Sequence, residues 1–189
     1  MGRVLVTGGV RSGKSRYAED LLASADAVTY VTPGYAPDPA TDPEWAARVA
    51  AHRLARPSDW ATVETVDVAG ALREQAGPVL VDCVGTWVTR QVDAVGWDAP
   101  RGTIHGALEA LTRELTDAVA GHPGPLVLVS NEVGWGLVSE HPSGRIFADL
   151  VGRANQALGA VVDEVVLMVA GRPLVLPAAH RPTRGDALS

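Results

Sequence analysis

The chain has 189 residues, 47% hydrophobic and 20% charged, which suffices for one substantial core but not for two independent ones. A net charge of −6 argues against the broad basic surface that nonspecific nucleic-acid binding requires, so we expect no nucleic-acid partner. The single cysteine, Cys83, excludes a disulfide framework and a cysteine-rich zinc site, which fits a reducing cytoplasm.

The N-terminal segment indicates a first strand and not a targeting signal. Met1 to Thr7 contains no long apolar h-region and no small-residue cleavage site. Val6 stands where a myristoylation signal requires Ser or Thr. No run approaches the roughly 18 to 20 apolar residues that cross a bilayer. We therefore expect a cytoplasmic protein without a membrane span.

Short β-branched runs alternate with helical segments along the chain. The runs predict strands at Val4–Thr7, Ala27–Thr32, Thr62–Val66, Pro78–Asp82, Leu126–Ser130 and Glu164–Val169, with a further last strand at Pro173–Leu176. Helices are expected at Ser15–Ala23, Pro43–Ala55, Val68–Gln75, Gly102–Ala120 and Ser143–Gly159. This alternation predicts an α/β fold with a mostly parallel central sheet and helices on both faces.

The domain organisation is expected to be simple. Residues 1–176 are predicted to form a single nucleotide-binding domain, and residues 177–189 a frayed tail that has little to bury. Four prolines in Thr32–Pro43 predict a long loop, and long loops inside compact domains are often lids or binding elements.

The segment from Gly8 to Ser15 has the pattern G-x-x-x-x-G-K-S between a strand and a helix. Its residues are Gly8, Gly9, Val10, Arg11, Ser12, Gly13, Lys14 and Ser15. Glycines at these positions let backbone N–H groups converge on phosphate oxygens at the positive end of the helix. Lys14 is expected to reach the β and γ phosphates, the Ser15 hydroxyl to bind Mg²⁺, and Arg11 to add a charge-assisted contact. The alternative is a glycine-rich turn with an exposed lysine.

Two acidic residues follow buried strands and are candidates for the metal. Asp82 ends the run Val79–Val81, and the carboxyl ends of parallel strands meet at the edge of the sheet where ligands bind. Glu132 follows the strand at Leu126–Ser130 and could serve instead. The alternative for Asp82 is a helix or turn cap. The signatures of regulatory GTPases and of protein kinases do not occur in the sequence.

One helix carries a histidine between two arginines. Asp42 and Pro43 predict its start, after which Arg48, His52 and Arg56 follow at i, i+4 and i+8. The arginines could hold phosphate oxygens and disfavour imidazolium, which keeps the histidine neutral and nucleophilic. By spacing alone, however, such a face is more often only the solvated side of an amphipathic helix.

Several ordered segments together resemble one known family. They are Thr7–Arg16, Arg48–Pro57 with Trp60 and Glu64, Val81–Cys83, Val129–Gly134, Gly152–Gln156 and Asp163–Val165. They resemble the bifunctional adenosylcobinamide kinase/adenosylcobinamide-phosphate guanylyltransferases of cobalamin biosynthesis. The resemblance extends over nearly the whole chain, to about Val175.

The resemblance implies two reactions in one enzyme. ATP or GTP would phosphorylate adenosylcobinamide, and GMP would then pass from GTP to adenosylcobinamide phosphate through a guanylylated His52, with release of pyrophosphate. It also implies a RecA-like P-loop NTPase fold and a homotrimer. Catalytic roles would fall on His52 and Lys14, and Mg²⁺ would bind Ser15 and Asp82.

The resemblance further implies a set of nucleotide contacts. These map onto Gly8 to Ser15, Thr32, Pro33, Gly34, Arg53, Leu54, Ala55, Arg56, Glu64 and Asp82. The proline-rich loop after Thr32 is longer than the family pattern leads us to expect. Two rival interpretations stay open: a monofunctional small-molecule P-loop kinase, and a non-enzymatic nucleotide-binding regulator.

Overall fold

A computed structural model describes residues 1–55 and 57–178, without the side chains of Trp45, Arg48, Ala51, His52, Leu54 and Ala55. Its strands are β1 (Arg3–Gly8), β2 (Thr29–Thr32), β3 (Ala61–Glu64), β4 (Val79–Asp82), β5 (Leu126–Val129), β6 (Glu164–Val169) and β7 (Arg172–Leu176). Its helices are α1 (Lys14–Leu22), α2 (Pro43–Ala55), α3 (Val68–Glu74), α4 (Val84–Val95), α5 (Arg101–Gly121) and α6 (Pro142–Gly159).

These strands form one sheet in the order β3-β2-β4-β5-β1-β6-β7. All neighbouring strands pair in parallel except β7, which runs antiparallel to β6 at the edge. The predicted α/β fold with a mostly parallel sheet is confirmed. A single strand, β5, separates the strand before the glycine-rich loop from the strand that ends at Asp82.

Both faces of the sheet are covered by helices, as predicted. Leu5 and Leu128 pack on one face with α3, α4, α5 and α6, and Val6 and Val129 pack on the other with α1. These four side chains are at most 1% exposed. Because each aliphatic side chain contributes about 1.5–3 kcal/mol when fully buried, the central strands are firmly fixed in register.

Helix α4 was not predicted from the sequence. Val84, Thr86 and Val88 are β-branched and Gly85 stands in the first turn, a composition of low helix propensity. Burial decides the outcome, because Trp87, Val88 and Val92 lie in the core. The other predicted elements agree with the structure to within two residues at each end, including the helix at Pro43–Ala55.

The C-terminal part is only partly described. The predicted last strand is confirmed as β7, whose residues are exposed. Residues 179–189, most of the predicted tail, lie outside the described residues, and the single domain over residues 1–176 stays a prediction. None of the described helices combines the length and apolarity that crossing a membrane requires.

Candidate functional site

The loop between β1 and α1 has the backbone of a phosphate cradle. Gly13 caps α1 with a φ of +94°, a left-handed conformation that favours glycine. A Cβ on Gly8 would lie 2.7 Å from both the Met168 carbonyl oxygen and the Ser12 hydroxyl. The backbone therefore requires glycine at positions 8 and 13, and the alternative of an ordinary turn with an exposed lysine does not fit.

Lys14 is held within this loop. It is the first residue of α1, its side chain is buried, and its Nζ donates a hydrogen bond of 3.1 Å to the Gly9 carbonyl. The turn between β6 and β7 braces the loop from outside, because the Gly171 N–H donates to the Ser12 carbonyl over 3.0 Å. The ammonium and the positive end of α1 thus share one location, which suits a phosphate.

A cavity of about 740 Å³ opens beside the glycine-rich loop at the carboxyl edge of the sheet. Its volume is within the range of small-molecule and nucleotide sites. The predicted site residues that line it are Val10, Lys14, Ser15, Thr32, Gly34, Arg53, Glu64 and Asp82. The structure thus brings together residues from five separate segments of the chain.

The remaining predicted residues do not line this cavity or are not described. Gly8, Gly9, Arg11, Ser12, Gly13 and Pro33 do not line it. Arg56 lies outside the described residues, as do the side chains of His52, Leu54 and Ala55.

Asp82 is fixed at the wall of the cavity. The Tyr30 hydroxyl donates a hydrogen bond of 3.0 Å to its Oδ2 atom. The next helix, α4, is capped by Cys83 and not by Asp82, because the Cys83 sulfur accepts from the Thr86 N–H. Asp82 therefore does not cap helix α4, and its carboxylate faces a site that also contains Ser15.

The Cys83 thiol also lies in this wall. Burial, and then the nearby Asp82 carboxylate, raise the pKa of the thiol above its ordinary value. Since the thiolate is the reactive form, Cys83 is a protonated and weakly reactive group at neutral pH.

Glu132, the second acidic candidate, occupies a different position. Its carboxylate accepts a hydrogen bond of 2.8 Å from the Thr7 hydroxyl, and its N–H donates to the Gly8 carbonyl over 3.1 Å. It does not line the cavity. Glu132 braces the start of the glycine-rich loop, whereas Asp82 faces the ligand space.

The proline-rich loop is attached to α4. The Arg90 guanidinium donates to the carbonyls of Pro33 and Gly34, over 3.4 and 3.0 Å, and lies 4.0 Å from the centre of the Tyr35 ring. The Tyr35 hydroxyl donates to Asp93 over 2.8 Å, and this hydrogen bond raises the pKa of Tyr35. The loop therefore forms an ordered wall of the cavity.

Helix α2 borders the cavity from the other side. It begins at Pro43, and the Ala46 N–H donates to the Asp42 carbonyl over 3.0 Å, which confirms the predicted start. Val49 and Arg53 line the cavity, and Arg53 forms an ion pair with Glu64 of β3. The backbone confirms that residues 48 and 52 are one helical turn apart.

Sequence reasoning missed several residues of the wall, among them Tyr30, Tyr35, Thr86, Asn131 and Phe147. Asn131 follows a buried strand just as Asp82 does, so the strand-end rule could have found it. The loop attachment by Arg90 and Asp93 was missed because both belong to the helix that was not predicted.

Residues 4–176 match the family described as cobinamide kinase / cobinamide phosphate guanyltransferase. The chain belongs to this family. The match covers the glycine-rich loop, Asp82 and helix α2, so the resemblance seen in the sequence is confirmed.

Individual members of the cobinamide kinase family are similar along nearly their whole length. The chain is 40% identical over 179 residues to the bifunctional adenosylcobalamin biosynthesis protein CobU of Salmonella typhimurium, covering 89% of this chain and 96% of the relative. Identity to CobU of Escherichia coli is 41% over 177 residues, with coverage of 89% and 96%. Identity to the bifunctional protein CobP of Pseudomonas aeruginosa is 38% over 179 residues, with coverage of 92% and 96%.

A solved structure outside the cobinamide kinase family shares the fold. It is a prototypical ATPase from the type III secretion system of pathogenic bacteria, with a TM-score of 0.52 and 13% sequence identity. The similar region covers 88% of this chain and 50% of the ATPase chain. At this identity the likeness shows the fold alone, and it agrees with the predicted RecA-like P-loop fold.

Proposed function

We propose that the protein is a bifunctional transferase of cobalamin biosynthesis. It phosphorylates adenosylcobinamide with ATP or GTP, and then transfers GMP from GTP to adenosylcobinamide phosphate, giving adenosylcobinamide-GDP and pyrophosphate. The observation that carries this proposal is the convergence of Lys14, Ser15 and Asp82 on one cavity, in a chain that belongs to the cobinamide kinase family. The family membership favours this enzyme over a nucleotide-binding regulator, because a regulator could bind Mg²⁺ and a nucleotide with the same three residues.

The phosphate-binding part of the site serves both reactions. The backbone N–H groups of the glycine-rich loop and the Lys14 ammonium bind the phosphates and offset their charge. The Ser15 hydroxyl and the Asp82 carboxylate line the same cavity and are oxygen donors of the kind that Mg²⁺ prefers, so they would hold this ion. When bound, Mg²⁺ would neutralise part of the negative charge of the phosphates.

For the second reaction, His52 is the proposed nucleophile. An imidazole nitrogen attacks the α-phosphorus of GTP, a P–N bond forms, the bond to the β-phosphate oxygen breaks and pyrophosphate leaves. A phosphate oxygen of adenosylcobinamide phosphate then attacks the same phosphorus and releases the imidazole. Support comes from the backbone of α2: position 52 is one turn after Val49 and adjacent to Arg53, both of which line the cavity.

The reactions can be followed with purified protein, adenosylcobinamide, Mg²⁺ and GTP or ATP. We expect adenosylcobinamide phosphate to form first with either nucleotide and adenosylcobinamide-GDP to follow only with GTP, as resolved by liquid chromatography and mass spectrometry. Lys14→Ala should reduce both steps by about 100-fold or more, because a charge-stabilising donor is lost. Phosphorylation without any GMP transfer would instead support the monofunctional kinase.

We also propose a homotrimer in the cytoplasm. Exposed apolar side chains support association, and they include Trp135 and Leu137 after β5 and Leu174 and Val175 on the edge strand β7. Light scattering coupled to size-exclusion chromatography should give a mass three times that of the 19.7 kDa chain. A mass of one chain at micromolar concentration would contradict the trimer.

A further inference from the structure

Asn131 lies two residues beyond the end of β5, the strand between the glycine-rich loop and Asp82. Strand β5 pairs with β1 on one side and with β4 on the other, and the N–H of Ser130 donates to the Val6 carbonyl over 2.9 Å. Asn131 lines the same cavity as Lys14 and Asp82. A phosphate held between those two residues would therefore lie in front of Asn131.

Two neighbouring helices fix the position of Asn131. From α6, the Asn155 amide donates to the Asn131 carbonyl over 3.0 Å, and its Oδ1 accepts from the Ser130 hydroxyl over 2.5 Å. From α4, Gly85 leaves room for the Asn131 carboxamide, since a Cβ on Gly85 would lie 2.5 Å from its Oδ1. This space would be lost with any other residue at position 85.

The contacts of the carboxamide determine which group it offers to a ligand. The Cys83 thiol donates a hydrogen bond to Oδ1 over 3.6 Å. The NH₂ group is therefore the donor that Asn131 presents for a ligand in the cavity. A neutral donor suits a phosphate oxygen, whereas a carboxylate at this position would repel it.

We propose that Asn131 is a further nucleotide-contacting residue, whose Nδ2 donates a hydrogen bond to an oxygen of the terminal phosphates, and that Asn155 is its positioning residue. The inference rests on the proposed function, because it assumes that a nucleoside triphosphate occupies this cavity. It gives a role to the space at Gly85 and to the Asn155 contact with Asn131, while the Asn155 amide also donates to the Glu132 carboxylate over 3.4 Å.

The decisive comparison is between Asn131→Ala and Asn131→Asp. The aspartate has nearly the size of asparagine but replaces the NH₂ donor with a negatively charged oxygen. If Asn131 binds phosphate, kcat/KM for phosphoryl transfer falls about tenfold in Asn131→Ala and about 100-fold or more in Asn131→Asp. If Asn131 only fills space, the order is reversed, because Asn131→Asp preserves the packing. Thermal unfolding of both variants checks that each is folded.

A matched pair of glycine substitutions tests the positioning. Gly85→Ala should displace the carboxamide and lower kcat/KM about as much as Asn131→Ala. Gly106→Ala is the control, because Gly106 is also in a helix and its added Cβ would meet nothing within 4 Å. In the double variant of Asn131→Ala and Asn155→Ala, kcat/KM should be little lower than in Asn131→Ala alone. If Asn155 acts independently of Asn131, the two losses should instead add in full.

The outcomes separate the inference from the proposed function. If the wild-type protein phosphorylates adenosylcobinamide and Asn131→Asp is at least as active as Asn131→Ala, the inference is overturned and the function stands. If the wild-type protein transfers no phosphate, the proposed function fails. Calorimetric measurement of GTP binding with Mg²⁺ by the two variants then tests whether Asn131 contacts the nucleotide. Weaker binding by Asn131→Asp than by Asn131→Ala then supports the contact, and the opposite order rejects it.

Discussion

The hydroxyl of Tyr30 donates a hydrogen bond of 3.0 Å to the carboxylate of Asp82, from one strand of the sheet to its neighbour. Tyr30 is only 2% exposed, and its ring packs in the core between the sheet and α1. The buried ring therefore fixes the direction of an acidic side chain that faces the cavity. This coupling connects the packing of the core to the proposed Mg²⁺ site.

Tyr30→Phe should preserve this packing and remove the hydrogen bond. Partners that orient a metal ligand affect metal affinity, so we expect half-maximal kinase activity to require about tenfold more Mg²⁺. A Mg²⁺ titration of phosphoryl transfer measures this, with Tyr17→Phe as the control variant. An unchanged Mg²⁺ requirement in Tyr30→Phe would mean that Asp82 acts without this orientation.

Arg90→Lys should loosen the proline-rich loop. Lysine keeps the charge but cannot reproduce the contacts of the planar guanidinium with two carbonyls and the Tyr35 ring. If the loop is a wall of the nucleotide site, KM for GTP rises about fivefold while kcat stays within about twofold. Arg113→Lys is the control, since Arg113 pairs only with Glu109 on the surface among the contacts described. If Arg90→Lys and Arg113→Lys have the same KM for GTP, the proline-rich loop does not contribute to nucleotide binding.

Lys14 is the only lysine of the sequence, so a chemical modification of a lysine ammonium can be assigned to it alone. Reductive methylation should modify two amines, the N-terminus and Lys14, which mass spectrometry of peptides distinguishes. Saturating GTP with Mg²⁺ should slow methylation of Lys14 about tenfold or more, because the bound phosphates occupy the ammonium. The N-terminal amine provides the internal control. Methylation of Lys14 at an undiminished rate would contradict phosphate binding by this loop.

The ion pair of Arg3 and Asp163 should make the free energy of unfolding depend on pH in the acid range. Three hydrogen bonds from the Arg3 backbone and guanidinium, of 2.7, 3.2 and 2.8 Å, lower the pKa of Asp163 to about 2. Because the pKa of an unfolded aspartate is about 3.9, this stabilisation is complete above about pH 4 and is lost as the pH falls toward about 2.

Asp163→Asn should therefore lower the free energy of unfolding at pH 7. Asp163 is half exposed, and solvent screening keeps the expected loss to about 0.5–1 kcal/mol. Urea unfolding at pH 7 and pH 3 measures it, and the difference from wild type should shrink at the lower pH. The exposed Asp26 supplies the control variant Asp26→Asn. A difference that is independent of pH would show that the Asp163 charge is not responsible.

The sequence was informative where local chemistry decides the structure. The glycine-rich loop, the strands that pass through the core and the start of α2 at Pro43 follow from backbone requirements, apolar runs and helix-start signals of neighbouring residues. The placement of Asp82 at the ligand edge follows from the parallel arrangement of the strands.

Long-range contacts could not be predicted in the same way. Helix α4 forms because Trp87 and Val88 are buried, against the propensity of its own sequence. The hydrogen bond of Tyr35 with Asp93 joins residues 58 positions apart in the chain, and the ion pair of Arg53 with Glu64 joins helix α2 to strand β3. Asn131 was overlooked beside its charged neighbour Glu132, and only the structure shows which of the two lines the cavity.

Transfer of GMP through His52 is tested most directly by covalent labelling of the protein. The protein is incubated with Mg²⁺ and GTP labelled at the α-phosphate, denatured, and assayed for protein-bound label before and after acid or alkali. We predict label that survives alkali and is lost in acid, as a phosphoramidate requires, present in wild type and in His141→Ala but absent from His52→Ala. Label retained by His52→Ala, or no label on an enzyme that forms adenosylcobinamide-GDP, would contradict transfer through this histidine.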